Sequence, residues 1–102
     1  MRDMDKEREN WIELTDFYIW QLLKILDSGP KHIRDIFKSF SGGTITLEDR
    51  VAKLLSYGLI TESRLDTFPF RRRLELTERG RRLLELYDRI GEIAKEIREN
   101  GG

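Results

Sequence analysis

The hydrophobic positions of this chain change period several times, and each change marks an element. From Trp11 to Leu26, "WIELTDFYIWQLLKIL" places Trp11, Leu14, Tyr18, Leu22 and Ile25 at spacings of three and four, the period of a helix. Phe17, Ile19, Trp20, Leu23 and Leu26 fill much of the remaining circumference. A helix apolar on most sides must be covered on more than one side, here by the chain's own last helix or by another subunit. "DSGP" ends it, with Gly29 suited to a left-handed C-terminal residue and Pro30 to the first turn of the next helix. That helix, "PKHIRDIFKSF", carries Ile33, Ile36, Phe37 and Phe40 on one stripe before "SGG".

"TITLEDRVAKLLSYG" predicts a third helix. Leu47, Val51, Leu54 and Leu55 form its buried side, and Thr46, Asp49, Arg50 and Lys53 fall away from it. Thr44 or Thr46 is placed to cap its start, and Gly58 its end. "LITESRL" and "RRRLELT" read as strands around the turn "DTFPF", because Pro69 cannot continue a central strand. In the second, Arg72, Leu74 and Leu76 alternate with Arg71, Arg73 and Glu75, a half-buried hairpin strand. Thr77 then caps a long final helix from about Glu78 to Glu99, in which Leu83, Tyr87, Ile90, Ala94 and Ile97 make a heptad seam widened by Leu86 and Ile93. A seam of barely more than two heptads is too short to stand alone, so it must pack on the first helix or on its own copy.

The fold class expected is therefore mainly α with a small β-hairpin and long terminal helices. The division expected is a charged extension over 1–10, one domain over 11–77 and a terminal helix over 78–99, consistent with 102 residues holding a single core. A charged content of 37% with no cysteine resembles proteins of hot environments. Net charge is zero, yet unevenly spread. Residues 1–28 carry 4 basic and 7 acidic side chains, residues 29–82 carry 12 and 7, and residues 83–102 carry 3 and 5. The middle is basic between acidic ends, which points to an anionic partner or to ordinary variation among solvated faces.

Several chemistries find no residues to carry them. Without cysteine there are no disulfides, thiolate nucleophiles or cysteine-held metals. His32 is the single histidine, a helix-start residue or a phosphate contact rather than part of a metal cluster or catalytic dyad. The carboxylates are scattered helix-face charges, and no glycine-rich phosphate cradle follows a strand, so no enzyme, cofactor or metal is expected. No apolar run is long enough for a membrane span, and the charged start lacks the apolar core of a signal peptide, so a cytoplasmic location is expected. Trp11, Phe17, Tyr18 and Trp20 fit core or subunit interface, with a small-molecule pocket as the alternative. Arg79, Arg81 and Arg82 fit either an extended basic surface or a helix face paired with Glu78 and Glu85.

Three strings, "SGPKHIRDIF", "TLEDRVAKLLSYGLIT" and "RRRLELTERGRRLL", occur in an order that resembles small archaeal and bacterial winged helix-turn-helix transcriptional regulators of the PadR-like and MarR-like type. The likeness covers roughly residues 12–97. It implies a homodimer that binds double-stranded DNA, with helix 44–57 in the major groove and a basic wing at 60–76. On that reading Thr44, Thr46, Arg50 and Lys53 face the major groove, Lys31 and Arg34 lie near the backbone, and Arg71, Arg72 and Arg73 carry the wing contact. Phe68, Pro69 and Phe70 become the wing tip. The dimer interface draws on Trp11, Tyr18, Leu83, Leu86, Tyr87, Ile90, Ile93 and Ile97; any small-molecule effector stays unknown. One departure stands out. Glu48 and Asp49 lie early in the third helix, where acids repel phosphates; they favour the helix dipole, accept from cytosine, or mark a domain that binds a protein instead of DNA. A nonspecific chromatin-type binder is a further alternative.

Overall fold

A computed structural model describes residues 12–66 and 71–101. The elements are α1 (Phe17–Leu26), β1 (Lys31–His32), α2 (Ile33–Ser39), α3 (Thr44–Ser56), β2 (Ile60–Arg64), β3 (Arg72–Leu76) and α4 (Glu78–Gly101). The three strands form one antiparallel sheet in the order β1-β3-β2. Trp11, the 1–10 extension and the Phe68-Pro69-Phe70 tip lie outside the described residues.

The first helix starts later than its periodicity suggests. Leu14 continues the apolar spacing, but Asp16 sits in extended backbone and its carboxylate accepts from the Ile19 amide at 2.7 Å. The side-chain cap satisfies an amide that the helix cannot, so the helix begins at Phe17 rather than Trp11. Ile19, Leu22, Leu23 and Leu26 are buried. α2, α3, β3 and α4 all pack on α1, so most of its apolar surface is covered within one chain, with Phe17 left exposed. Ile36 and Phe40, Leu47, Val51 and Leu54, Leu59 and Ile60, Leu74 and Leu76, and Leu84 complete the core. Among the described residues it contains no buried polar or charged side chain.

The segment after Pro30 differs from expectation. Lys31 and His32 do not open a helix; they pair with Leu74 and Arg73 and cover the edge of β3 that β2 leaves free. α2 then begins at Ile33, and its two turns bury Ile36 while Phe37 points outward. At α3, neither Thr44 nor Thr46 caps the helix. Gly43 is the N-cap residue, with no side-chain cap bond, and its carbonyl accepts from the Leu47 amide at 3.0 Å. The expected buried stripe Leu47, Val51 and Leu54 is the observed one. Gly58, at φ +70°, ends the helix, with its amide on the Leu55 carbonyl and the Leu59 amide on the Leu54 carbonyl.

The start of α4 is tied to the end of α3. The Thr77 hydroxyl donates to the Gly58 carbonyl at 2.7 Å and accepts from the Gly80 amide at 3.1 Å, so the expected cap forms and also clamps the hairpin base. The Leu59 carbonyl accepts from the Thr77 amide, and Gly80 lies directly against it: a Cβ there would sit 2.2 Å from that oxygen. Gly91, farther along α4, has open space instead. The same substitution therefore has opposite signs at the two sites. Gly80→Ala is expected to destabilise by about 1–3 kcal/mol or more through overpacking against backbone. Gly91→Ala is expected to stabilise by roughly 0.5–1 kcal/mol through helix propensity. Thermal melts of the two variants check both signs.

Candidate nucleic-acid interface

The basic residues singled out by sequence divide into two groups once their neighbours are known. Arg72 belongs to the first. Alternation along β3 turns it to the face of Leu74 and Leu76, both buried, while Arg71, Arg73 and Glu75 are exposed on the other. There its guanidinium binds two carboxylates. One nitrogen donates to both Glu48 oxygens at 2.9 and 2.8 Å; the other two donate to Glu62 at 3.2 and 3.0 Å. Glu62 also accepts from Arg64 at 2.8 Å. Its side chain is only 14% exposed. The Arg72 hydrogen bonds, with Arg64 adding to them, hold its carboxyl below the usual range. The same contacts raise Arg72 further above its ordinary value.

Arg50 is held in a similar way. It donates to Asp16 through two nitrogens at 2.9 and 2.8 Å and to Asp49 at 2.7 Å, and it stacks 5.5 Å from the Tyr18 ring centroid. Asp49 also meets Lys53 at 3.4 Å. Arg50 thus joins α3 to the cap of α1, and its guanidinium turns away from the outer side of α3, where the sequence reading had put it. Tyr18, half-buried, packs on Phe40 and Arg50 within the domain.

Arg34, Arg71 and Arg73 form the second group: each is exposed, and none has an ion pair among the described residues. Lys31 is half-buried on β1 and likewise carries no ion pair among them. An open groove of about 420 Å³ between α2 and β3 is lined by His32, Ile33, Arg34, Asp35, Lys38, Arg71 and Arg72. It brings Arg34 and Arg71 together and adds Lys38, which the sequence reading did not select and which Asp35 meets at 3.6 Å. The Nδ1 of His32 is buried without a hydrogen-bond partner among the described residues. Thr44 is exposed and Thr46 half-buried at the start of α3. Unpaired positive charge among the described residues therefore lies along β1, α2 and the hairpin, with more on α4 at Arg82, Arg89, Lys95 and Arg98, and α3 is electrically balanced by its own acids.

The seam of α4 also divides. Leu83 packs against the core, and the Tyr87 hydroxyl donates to the Leu14 carbonyl. Burial pushes the Tyr87 phenol up to about 12. Leu86, Ile90, Ile93 and Ile97 are each more than half exposed, and Phe17 and Ile12 are exposed too. Among the described residues no group of histidines and carboxylates is placed to hold a metal, and no helix is long and apolar enough to cross a membrane.

Solved structures share this architecture along nearly the whole chain. A transcriptional regulator described as of the MarR family from Enterococcus faecalis V583 superposes with a TM-score of 0.81 at 17% identity, over 99% of this chain and 93% of its own. The reduced form of the transcriptional regulator YodB from B. subtilis gives 0.79 at 20% identity, over 100% and 99%. The homodimeric winged helix-turn-helix DNA-binding domain of Mb0332 from Mycobacterium bovis gives 0.66 at 20%, over 98% and 93%. The chain has the winged-helix fold. A scan of protein-family models finds no match, and a search of curated proteins finds none. In this fold β2 and β3 are the wing and α3 is the second helix of the helix-turn-helix, so the Arg72 clamp joins wing to helix.

The clamp gives a stability difference within the arginine triplet. Arg72→Ala leaves the sheltered Glu62 with only Arg64 and is expected to cost about 1–3 kcal/mol, whereas exposed Arg71→Ala is expected to stay within about 0.5 kcal/mol of wild type. Because the Glu62 carboxyl is lowered in the fold, its contribution is complete above its unfolded value and is lost as pH falls through the folded one. Melting temperatures followed from pH 6 down to pH 3 should fall for wild type. Glu62→Gln should start lower and fall less steeply.

Proposed function

We propose that the protein is a sequence-specific double-stranded DNA-binding protein that acts in the cytoplasm as a dimeric transcriptional regulator. The observation that carries this reading is the groove between α2 and the wing, where Arg34 and Arg71 face open space beside a helix-turn-helix. Three structural neighbours are transcriptional regulators or a DNA-binding domain, which supports it. Lys31, Arg34, Arg71 and Arg73 contact phosphates. Thr44 and Thr46 lie at the major groove, while Arg50, Lys53 and Arg72 hold α3 and the wing in register. Leu86, Ile90, Ile93 and Ile97 pair with the same residues of a second copy, as suits a neighbour described as homodimeric.

A second reading has its own observation. Glu48 and Asp49 are exposed on α3, and the chain has no net charge, features that suit a winged-helix module binding a protein. Mobility shifts on random and own-promoter duplexes across a salt series separate the two. Each phosphate contact contributes about 0.9 to the slope of log affinity against log salt. Replacing Arg71 and Arg73 together by Ala is expected to weaken binding to every duplex and to flatten that slope by roughly two units per protomer. Absence of binding to any duplex at low salt favours the protein module.

Assembly is tested separately. Ile90→Glu places a charge in the centre of the exposed α4 seam. Sedimentation at micromolar concentration should give dimers for wild type and monomers for the variant; a monomeric wild type refutes the interface.

A further inference from the structure

Ile45 is 87% exposed, the most exposed of the large hydrophobic side chains among the described residues. It stands apart from the apolar seam of α4, on the second residue of α3. Along α3 the buried residues are Leu47, Val51 and Leu54, and the positions opposite them are Ile45, Asp49, Ala52 and Ser56, spaced 4, 3 and 4 and all exposed. This outer face carries no arginine or lysine. Arg50 is drawn back to Asp16 and Tyr18, and Lys53 is half-buried beside Asp49.

We propose that Ile45 reads the 5-methyl group of a thymine in the major groove, and that α3 selects its site through this apolar contact instead of through arginine on guanine. The proposal rests on the DNA-binding reading above and names the base that its recognition helix selects. The N-terminal residues of a helix-turn-helix recognition helix are those that reach base edges, and Ile45 is at that end. The major groove offers one apolar feature, the thymine methyl, and apolar side chains distinguish it. Guanine is read best by a free arginine fork, which the outer face of α3 does not present. Ile45 is also stiff, since a β-branched side chain in a helix has one dominant rotamer, so little freedom is lost on docking. The acids beside it do not prevent approach, because Glu48 is neutralised by Arg72 and Asp49 by Arg50 and Lys53.

The test selects a tight duplex from a random pool with the full chain, then replaces each thymine singly by deoxyuridine. This removes the methyl and leaves base pairing unchanged. For wild type, one or two replacements are expected to weaken binding about three- to fivefold, the value of one buried methyl group. Ile45→Ala, whose melting temperature should match wild type, is expected to bind methylated and unmethylated duplexes equally. Wild-type binding that is indifferent to every replacement overturns the proposal while leaving the DNA-binding reading intact. A penalty that persists undiminished in Ile45→Ala overturns it too, by assigning the methyl to another residue. Failure to select any duplex overturns the DNA-binding reading and this inference with it.

Discussion

Everything in this fold is arranged around a helix of ten residues that must be covered on nearly every side. Ile19, Leu22, Leu23 and Leu26 are buried in α1, and full burial of each such side chain contributes about 1.5–3 kcal/mol. No single neighbour can shelter them all, so α2, α3, the sheet and α4 each take one side. The position of α3 relative to the wing follows from this, because Leu47, Val51 and Leu54 and the wing residues Leu74 and Leu76 meet in the same core. A helix-turn-helix with a wing is thus one solution to covering a central helix in a chain of this size.

Hydrophobic packing sets where the elements lie, and charge sets how they are locked together. Arg50 links α3 to the cap of α1, and Arg72 links α3 to the wing. The carboxylates involved come from α3, β2 and the α1 cap, so each arginine holds pieces that apolar contacts alone would let slide. Two of the strongest-looking cations in the sequence are therefore largely used within the protein. Exposed ion pairs stabilise little; these are partly sheltered, and the side chains of Arg50 and Arg72 are mostly covered.

The elements that were legible in the sequence are those whose signal is local. The buried stripe of α3, the alternation of β3, the cap at Thr77 and the glycine end at Gly58 each follow from periodicity or one residue's backbone preference. β1 was not legible because two residues carry no period, and they become a strand only when β3 offers its free edge. The start of α1 was hidden because Leu14 continues the helical spacing past the true cap, and its role is tertiary, giving its carbonyl to Tyr87. The division of the basic residues was least legible of all. Asp16 lies 34 residues from Arg50, and Glu48 lies 24 from Arg72. Only the register that puts Arg64 opposite Arg72 brings Glu62 diagonally within reach. Ile45 could have been noticed by continuing the 3-4 spacing of Asp49, Ala52 and Ser56 backwards, since that face holds no other large apolar side chain.

A chain of zero net charge can still hold a polyanion, provided its unpaired cations are gathered on one side. Lys31, Arg34, Arg71 and Arg73 are one group of unpaired cations, drawn from the strand, helix and wing that surround the groove; the others among the described residues lie on α4. Four per protomer are few for an electrostatic grip; six to ten phosphate contacts give the steep salt dependence typical of DNA-binding proteins. In the dimer proposed above, pairing two copies through α4 would double the set to eight and make the second engagement intramolecular, raising affinity without any new kind of contact. On that proposal the exposed isoleucines of α4 and the unpaired arginines near the wing would work together: the apolar seam would supply the valency that a neutral protomer lacks.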